Sequence, residues 1–226
     1  MSRGRFVVVE GGEGVGKSTQ VRRLRTFLEA GGLPVVVTRE PGGTAVGEGI
    51  REVLLHGRAG PVAPEAELLM ILAARAALVR EVVEPALAAG KWVLSDRFDL
   101  SSLAYQGYGR GIPAELVARL NEFATGGLAP DLCIVLDLPV EEGMARQALA
   151  GKSRDRFESQ GRAFLGRVRR GYVELARSRA DTVLLSARGS PGDVEARIRR
   201  EVALAFPEAP GAAGPASRRE DPPRPS

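Results

Sequence analysis

Only one cysteine, Cys133, and one histidine, His56, occur in the 226 residues of this chain. A lone thiol forms no intrachain disulfide, and so few sulfur and imidazole ligands set a structural zinc site aside. Cys133 lies inside the apolar run Leu132-Cys133-Ile134-Val135-Leu136, which points to core packing. His56 sits between Leu54-Leu55 and Gly57, the pattern of a helix end, and is given no role. Aromatic residues make up 5% of the chain, and no aromatic platform accompanies its net charge of +4, so no nucleic-acid partner is expected. No apolar run nears the roughly 18–20 residues of a membrane span. Met1 to Arg5 lead straight into a strand candidate and leave no room for a signal peptide. The expectation is a cytoplasmic protein with no membrane partner. Lysine is scarce as well: Lys17, Lys91 and Lys152 are the only lysines among 32 basic residues. The remainder are arginines, whose planar fork gives two-point contacts to phosphates, although genome composition also produces such a bias.

What is present is an alternation of strand and helix signals. Short apolar runs predict strands over 5–10, 34–38, 91–95, 131–137 and 182–186. Their continuous rather than alternating character suits strands covered on both faces, as in a parallel sheet. Helices are predicted over 17–30, about 45–56, 65–89, 114–126, 140–150, 159–179 and 191–205. Pro64 and Pro113 occupy good first-turn positions, Gly31 and Gly90 good stops, and Pro85 is placed to bend or shorten the third helix. The fold class that follows is α/β: a three-layer sandwich with a five-stranded parallel sheet, a phosphate-binding loop and a helical lid. One domain spans 1–206, with the lid at about 147–160. Residues 207–226 hold six prolines and no large apolar residue, and read as a disordered tail.

Four clusters carry the chemistry. The first is Gly11-Gly12-Glu13-Gly14-Val15-Gly16-Lys17-Ser18, between the first strand and a helix whose Val21, Leu24 and Leu28 share one face. It fits G-x-x-x-x-G-K-[ST]: glycines turn backbone N–H groups toward an anion, and the helix N-terminus adds about half a positive charge. Lys17 is suited to the β- and γ-phosphates and the Ser18 hydroxyl to Mg²⁺. With Thr19, Gly11 to Ser18 form the expected ATP-binding set. The second cluster, Thr38-Arg39-Glu40-Pro41-Gly42-Gly43-Thr44, turns at a strand end and puts Arg39 and Glu40 on the binding edge, unless it is only a solvated loop. The third follows strand 91–95. Asp96 there can hold Mg²⁺, Arg97 a phosphate, and Ser102, Tyr105 and Gln106 can read a base edge. A surface turn with aromatic packing is the plainer alternative. The fourth gathers Arg146, Lys152, Arg154, Arg156 and Arg162 into a segment suited to close over phosphates, or simply to be solvated. By residues alone a nucleotide kinase, a GTPase-type switch and a non-enzymatic nucleotide-binding module compete. A guanine-reading switch needs an Asn/Thr-Lys-x-Asp segment, and the single asparagine, Asn121, is followed by Glu122-Phe123.

In this order and spacing, with TREPGGT at 38–44, DRF at 96–98 and SSLAYQGYGRG at 101–111, the clusters resemble the bacterial thymidylate kinase family over about residues 5–205. The resemblance implies transfer of the ATP γ-phosphoryl group to dTMP, Mg²⁺ as cofactor, a closing lid and a homodimer. It implies that Glu13 faces the dTMP sugar and that Arg39, Arg51 and Arg97 surround its phosphate. Arg75 would meet the thymine edge, Ser102 and Gln106 the rest of the base, and Tyr105 the deoxyribose, where it disfavours a 2′-hydroxyl. Gly14 stands where some members place a catalytic arginine. That role then falls to lid residues Arg154 and Arg156, beside Lys17 and Arg97. Ile71 replaces the phenylalanine that usually stacks on thymine.

Overall fold

The computed structural model describes residues 3–56, 62–149, 156–157 and 160–212. Lys152, Arg154, most of the expected lid and residues 213–226 lie outside the described residues.

Five strands form a single parallel sheet: β1 (Phe6–Gly11), β2 (Val35–Arg39), β3 (Trp92–Asp96), β4 (Leu132–Asp137) and β5 (Thr182–Ser186), in the order β2-β3-β1-β4-β5. All five lie within about a residue of the runs predicted for them. The interior strands β1 and β4 are buried almost throughout, which is why they read as unbroken apolar runs, whereas the edge strands β2 and β5 are half-buried.

Helices cover both faces. On one side α1 (Lys17–Ala30) and α9 (Pro191–Ala205) set Val21, Leu24, Leu28, Val194, Ile198 and Val202 against Val7, Val9, Leu132 and Ile134. Ser190 and Asp193 close a reciprocal cap that starts α9. On the other face α3 (Pro64–Leu78), its continuation α4 (Glu84–Ala88), and α8 (Arg162–Ser178) pack on Phe6, Val8, Cys133 and Val135. The remaining helices are α2 (Ala45–Arg51), α5 (Asp99–Ser102), α6 (Ala114–Thr125) and α7 (Val140–Leu149). Pro64 opens α3, and a wider, π-helical turn at Val79–Val83 precedes Pro85. Proline lacks the N–H and crowds the carbonyl four residues back, so the helix there departs from the regular ladder.

Two features go beyond the sequence expectation. Asp99–Ser102 and the π-helical Leu103–Gly109 form a continuous helical segment with no predicted counterpart. It is buried on nearly all sides, so it shows no amphipathic period, and its glycines disguise it further. The expected disordered tail includes residues 207–212, and these pack on the body. Ala209 is buried, Phe206 stacks edge-on against Trp92 at 5.0 Å, and Glu208 accepts a hydrogen bond from Arg5 at 2.5 Å. An alanine next to Pro210 carries little hydrophobic signal of its own, and Arg5, the partner of Glu208, lies 203 residues away in sequence.

The parallel register aligns the carboxyl ends of the strands: Val9 is level with Asp96, Arg39 with Asp96, and Gly11 with Leu136. The loops that leave β1, β2 and β3 therefore meet at one edge of the sheet. Truncation after Ala212 should leave the melting temperature unchanged. Truncation before Pro207 should lower it by about 2–4 °C for each kcal/mol of lost packing. Thermal denaturation of the two truncations checks this; identical melting points would show that residues 207–212 add nothing.

Candidate active site

The glycine loop starts where β1 ends and opens α1. Gly16 has φ 96°, and Lys17 begins the helix. Lys17 is buried, and its amine donates to the carbonyls of Gly11 at 3.1 Å and Gly12 at 2.7 Å, which folds the side chain back over its own loop. Burial and the neighbouring charge of Arg97 lower its affinity for a proton. Ser18, one residue on, donates its hydroxyl to Asp96 Oδ2 at 2.6 Å. These hydroxyl and carboxylate oxygens are hard donors at the mouth of the loop, a set that fits Mg²⁺ held mainly by phosphates and water.

Gly14 has φ 72°, and a Cβ there would lie 2.1 Å from the carbonyl oxygen of Gly143 in α7. Side chains are excluded on both counts, so this chain has no space for an arginine at position 14.

Two clefts meet at the loop. One, of about 430 Å³, is lined by Glu13 to Gln20 together with Arg146, Gln147, Gly189, Pro191 and Val194. The other, of about 330 Å³, lies toward α2, α3 and α5; Arg39, Arg51, Ile71, Arg75, Arg97, Ser102, Tyr105 and Gln106 all line it. Glu13, Lys17 and Ser18 belong to both. The arrangement has room for a phosphoryl donor in the first cleft and an acceptor in the second, side by side across the loop.

At the junction Arg97 Nη2 donates to Glu13 Oε1 at 2.6 Å, and Tyr105 donates its hydroxyl to the same oxygen at 2.5 Å. Arg97 Nη1 also reaches the Gly11 carbonyl at 3.1 Å and the Tyr172 hydroxyl at 3.1 Å. Burial alone would raise the Glu13 carboxyl, but the charges of Arg97 and Lys17 and the Tyr105 hydrogen bond outweigh it and hold the group below the usual range. Arg97 itself has φ 78°, an uncommon backbone state for a non-glycine residue. Glu10 underpins it, accepting from Phe98 N at 2.7 Å, Ser101 N at 3.1 Å and Ser101 Oγ at 2.6 Å.

A family model described as thymidylate kinase matches residues 9–198. The chain belongs to the thymidylate kinase family. It is 50% identical over 194 residues to the thymidylate kinase of Synechococcus sp. (strain JA-2-3B'a(2-13)), covering 85% of this chain and 91% of that one. It is 52% identical over 174 residues to that of Pelotomaculum thermopropionicum, covering 77% and 81%. Among solved structures, thymidylate kinase from Ehrlichia chaffeensis superposes with a TM-score of 0.72 at 26% identity, covering 88% of this chain and 99% of that one.

Within this thymidylate kinase-family site the arginines differ in freedom. Arg39 is exposed on the rim and paired with Glu48 at 3.1 Å, and Arg51 donates to the Pro41 carbonyl at 2.9 Å. Arg75 is fully buried, and each of its three nitrogens is engaged. Nε bonds Glu40 at 2.8 Å; Nη1 bonds Ser102 at 2.8 Å and also Asn121; Nη2 bonds Glu40 at 2.5 Å and the Phe98 carbonyl at 2.8 Å. Arg156 donates to the Val62 carbonyl at 3.0 Å and is not among the residues that line either cleft. Phe157, next to it, does line the acceptor cleft, with its ring edge-on to Tyr105 at 5.7 Å. An aromatic thus stands beside Ile71, supplied from another part of the chain.

Sequence reasoning gave no role to Glu10, Tyr172, Phe157, Glu67 or Arg110. Glu10 had a signal: a single acid ending the run Phe6-Val7-Val8-Val9 in a strand buried on both faces. The partners of the others are too distant in sequence for spacing to reveal.

Because the folded Glu13 carboxyl lies below 4.5, its ionised form stabilises the fold above that pH, and the contribution is lost as pH falls through the folded value. Glu13→Gln should therefore cost about 3 kcal/mol near pH 7, the scale for breaking a buried pair. The gap to the parent should narrow below about pH 4.5. Denaturant titrations across pH test this; a gap independent of pH would detach Glu13 from the ion pair.

Proposed function

We propose that the protein transfers the γ-phosphoryl group of ATP to dTMP, forming dTDP and ADP on the way to dTTP. Family membership supports the reaction, and one observation carries the base. Gln106 lines the acceptor cleft, its Nε2 donates to Glu67 at 2.9 Å, and its Oε1 is buried with no hydrogen-bond partner among the described residues. An unpaired buried acceptor is costly, and a ligand that donates there removes the cost. Thymine N3 carries a hydrogen; cytosine N3 carries none and would face the amide oxygen with a lone pair.

The donor triphosphate lies along the glycine loop and the N-terminus of α1. Two hydrogens of the Lys17 amine are taken by loop carbonyls and the third is left for a phosphate oxygen. Ser18 and Asp96 would hold Mg²⁺, which would supply positive charge to offset the charge of the donor phosphates. The acceptor phosphate is read by Arg39, Arg51 and Arg97. Its attacking oxygen is already ionised, so no general base is needed, and rate comes from alignment and charge neutralisation. Tyr105, fixed by Glu13 and stacked under Arg97 at 5.0 Å, closes the sugar side against a 2′-hydroxyl. Ile71, Leu55 and Phe157 give the base apolar walls. Arg156, which donates to the Val62 carbonyl outside both clefts, would reach the transferring group only on lid closure, and Arg154 is proposed for the same role.

The partner in solution is a second copy of this chain. Val46 of α2, Leu69 of α3, and Leu116 and Phe123 of α6 are exposed; Phe123 is 86% exposed, and α3 packs against both α2 and α6. Leu116 and Phe123, seven residues apart, share one stripe of α6. Large apolar side chains on neighbouring helices suit a two-fold interface.

In a coupled ADP-release assay with MgATP, dTMP should be turned over far faster than AMP, CMP, UMP or GMP. Robust turnover of another monophosphate with none of dTMP would end this reading. Lys17→Ala should lower kcat by about 10²–10³ with the fold intact, the scale for losing one preorganised donor to developing charge. Phe123→Glu should shift the sedimenting species from dimer toward monomer; a parent protein already monomeric at micromolar concentration would remove the dimer.

A further inference from the structure

On the dTMP reading the Gln106 amide meets the base, and the group that its Nε2 donates to, Glu67, lies outside the cleft. Glu67, in the first turn of α3, is fully buried and does not line the cavity. Arg110 grips both of its oxygens, donating from Nε to Oε1 at 3.1 Å and from Nη2 to Oε2 at 2.9 Å. A carboxylate held this way only accepts. The side of Gln106 that meets it must be the NH₂, and the carbonyl is left over. Arg110 is itself fixed: its plane lies over the Phe164 ring at 4.7 Å, and Nη1 donates to Gln160 at 3.1 Å. Gln160 in turn donates to the Arg156 carbonyl at 3.0 Å. The amide is therefore clamped by a buried ion pair tied to the segment that carries Arg156.

We infer that Glu67 is a positioning residue for base selection, holding the Gln106 carbonyl toward the position of a base N3–H. The inference rests on the dTMP reading above. It differs from a purely structural role for Glu67, because a structural defect weakens every substrate, whereas a reversed amide changes which base is preferred.

Glu67→Gln separates the two. A carboxamide at 67 keeps the size of the side chain, gives its oxygen to Arg110 and turns its NH₂ toward Gln106. Gln106 then answers with its carbonyl and presents NH₂ to the base, which suits cytosine N3 and opposes thymine N3–H. With the full chain and MgATP, the ratio of kcat/KM for dTMP over dCMP should fall at least about tenfold, mostly through KM for dTMP, with KM for ATP unchanged. Sites that hydrogen-bond a substrate group discriminate by more than this, so the effect is well within range. An equal loss for both monophosphates, with the ratio preserved, overturns the role of Glu67. If the variant does not fold, a crystal structure of the parent with dTMP decides instead. N3 within hydrogen-bond distance of Gln106 Oε1, with Nε2 still on Glu67, supports the inference; N3 satisfied elsewhere overturns it. A parent protein with no dTMP turnover at all overturns the dTMP reading and this inference with it.

Discussion

Most of the site depends on the partly buried pair between Glu13 and Arg97. Glu13 belongs to the glycine loop and Arg97 to the first residue beyond β3, so their contact ties the phosphate cradle to the acceptor side. Taking either charge out of water alone is costly, and the pair is tolerable because each member has further polar partners. Tyr105 serves Glu13, and the Gly11 carbonyl and the Tyr172 hydroxyl serve Arg97. The left-handed backbone at Arg97 aims the guanidinium back over β1 instead of out to solvent, and Glu10 keeps it there by anchoring Phe98 and Ser101. Burial raises the affinity of Glu10 for a proton despite the nearby Arg97 charge. Two acids near one arginine are thus pushed in opposite directions, Glu13 toward the ionised form and Glu10 away from it. The difference follows from their partners: Lys17 adds a second positive charge beside Glu13, while Asp99 adds a negative one beside Glu10.

The same loop is closed to a further side chain. Gly14 and Gly143 approach so closely that a Cβ on Gly143 would fall 2.4 Å from the Glu13 carbonyl oxygen, as one on Gly14 would strike Gly143. Helix α7 is seated directly on the phosphate loop and carries Arg146 and Gln147 to the donor cleft. This packing makes the glycine at position 14 a structural requirement and not merely a missing arginine. An arginine cannot be seated at position 14, so a cation beyond Lys17 and Arg97 has to come from outside the loop, and Arg146 of α7 already lines the cleft beside it.

The layout was legible in sequence where one physical rule dominated. Parallel interior strands read as continuous apolar runs, and α1 reads as a one-sided stripe through Val21, Leu24 and Leu28, because burial on two faces or on one leaves those traces. The glycine loop was legible because its geometry restricts residue identity position by position. Illegible elements obeyed several rules at once. Asp99–Gly109 is helical, glycine-containing and buried all round, so neither periodicity nor composition marked it. Glu67 sits in a helix next to Leu68, where an acid ordinarily reads as a solvated first-turn charge; only its partners Gln106 and Arg110, about forty residues on, show it to be interior. The aromatic wall beside Ile71 was illegible for the same reason, since Phe157 enters the cleft from a distant segment.

The arginine bias takes on a different meaning in this light. Composition suggested phosphate handling, yet Arg75, Arg110 and Arg179 each hold two or more protein acceptors with a single guanidinium. Arg75 links Glu40 after β2, the Phe98 carbonyl after β3, Ser102 of α5 and Asn121 of α6. A lysine has three donors on one atom and cannot span four such groups. On the dTMP reading proposed above, Arg75 would act on a base chiefly by fixing the wall around it, since a direct contact would require it to share a hydrogen already given to Ser102 or Asn121. Lys17, Arg39, Arg51 and Arg97 also line the cleft, and on the reading proposed above they are the cations that would meet phosphate. In this fold arginine serves first as a multi-way fastener between loops, and the charge left over at the edge of the sheet is what a nucleotide encounters.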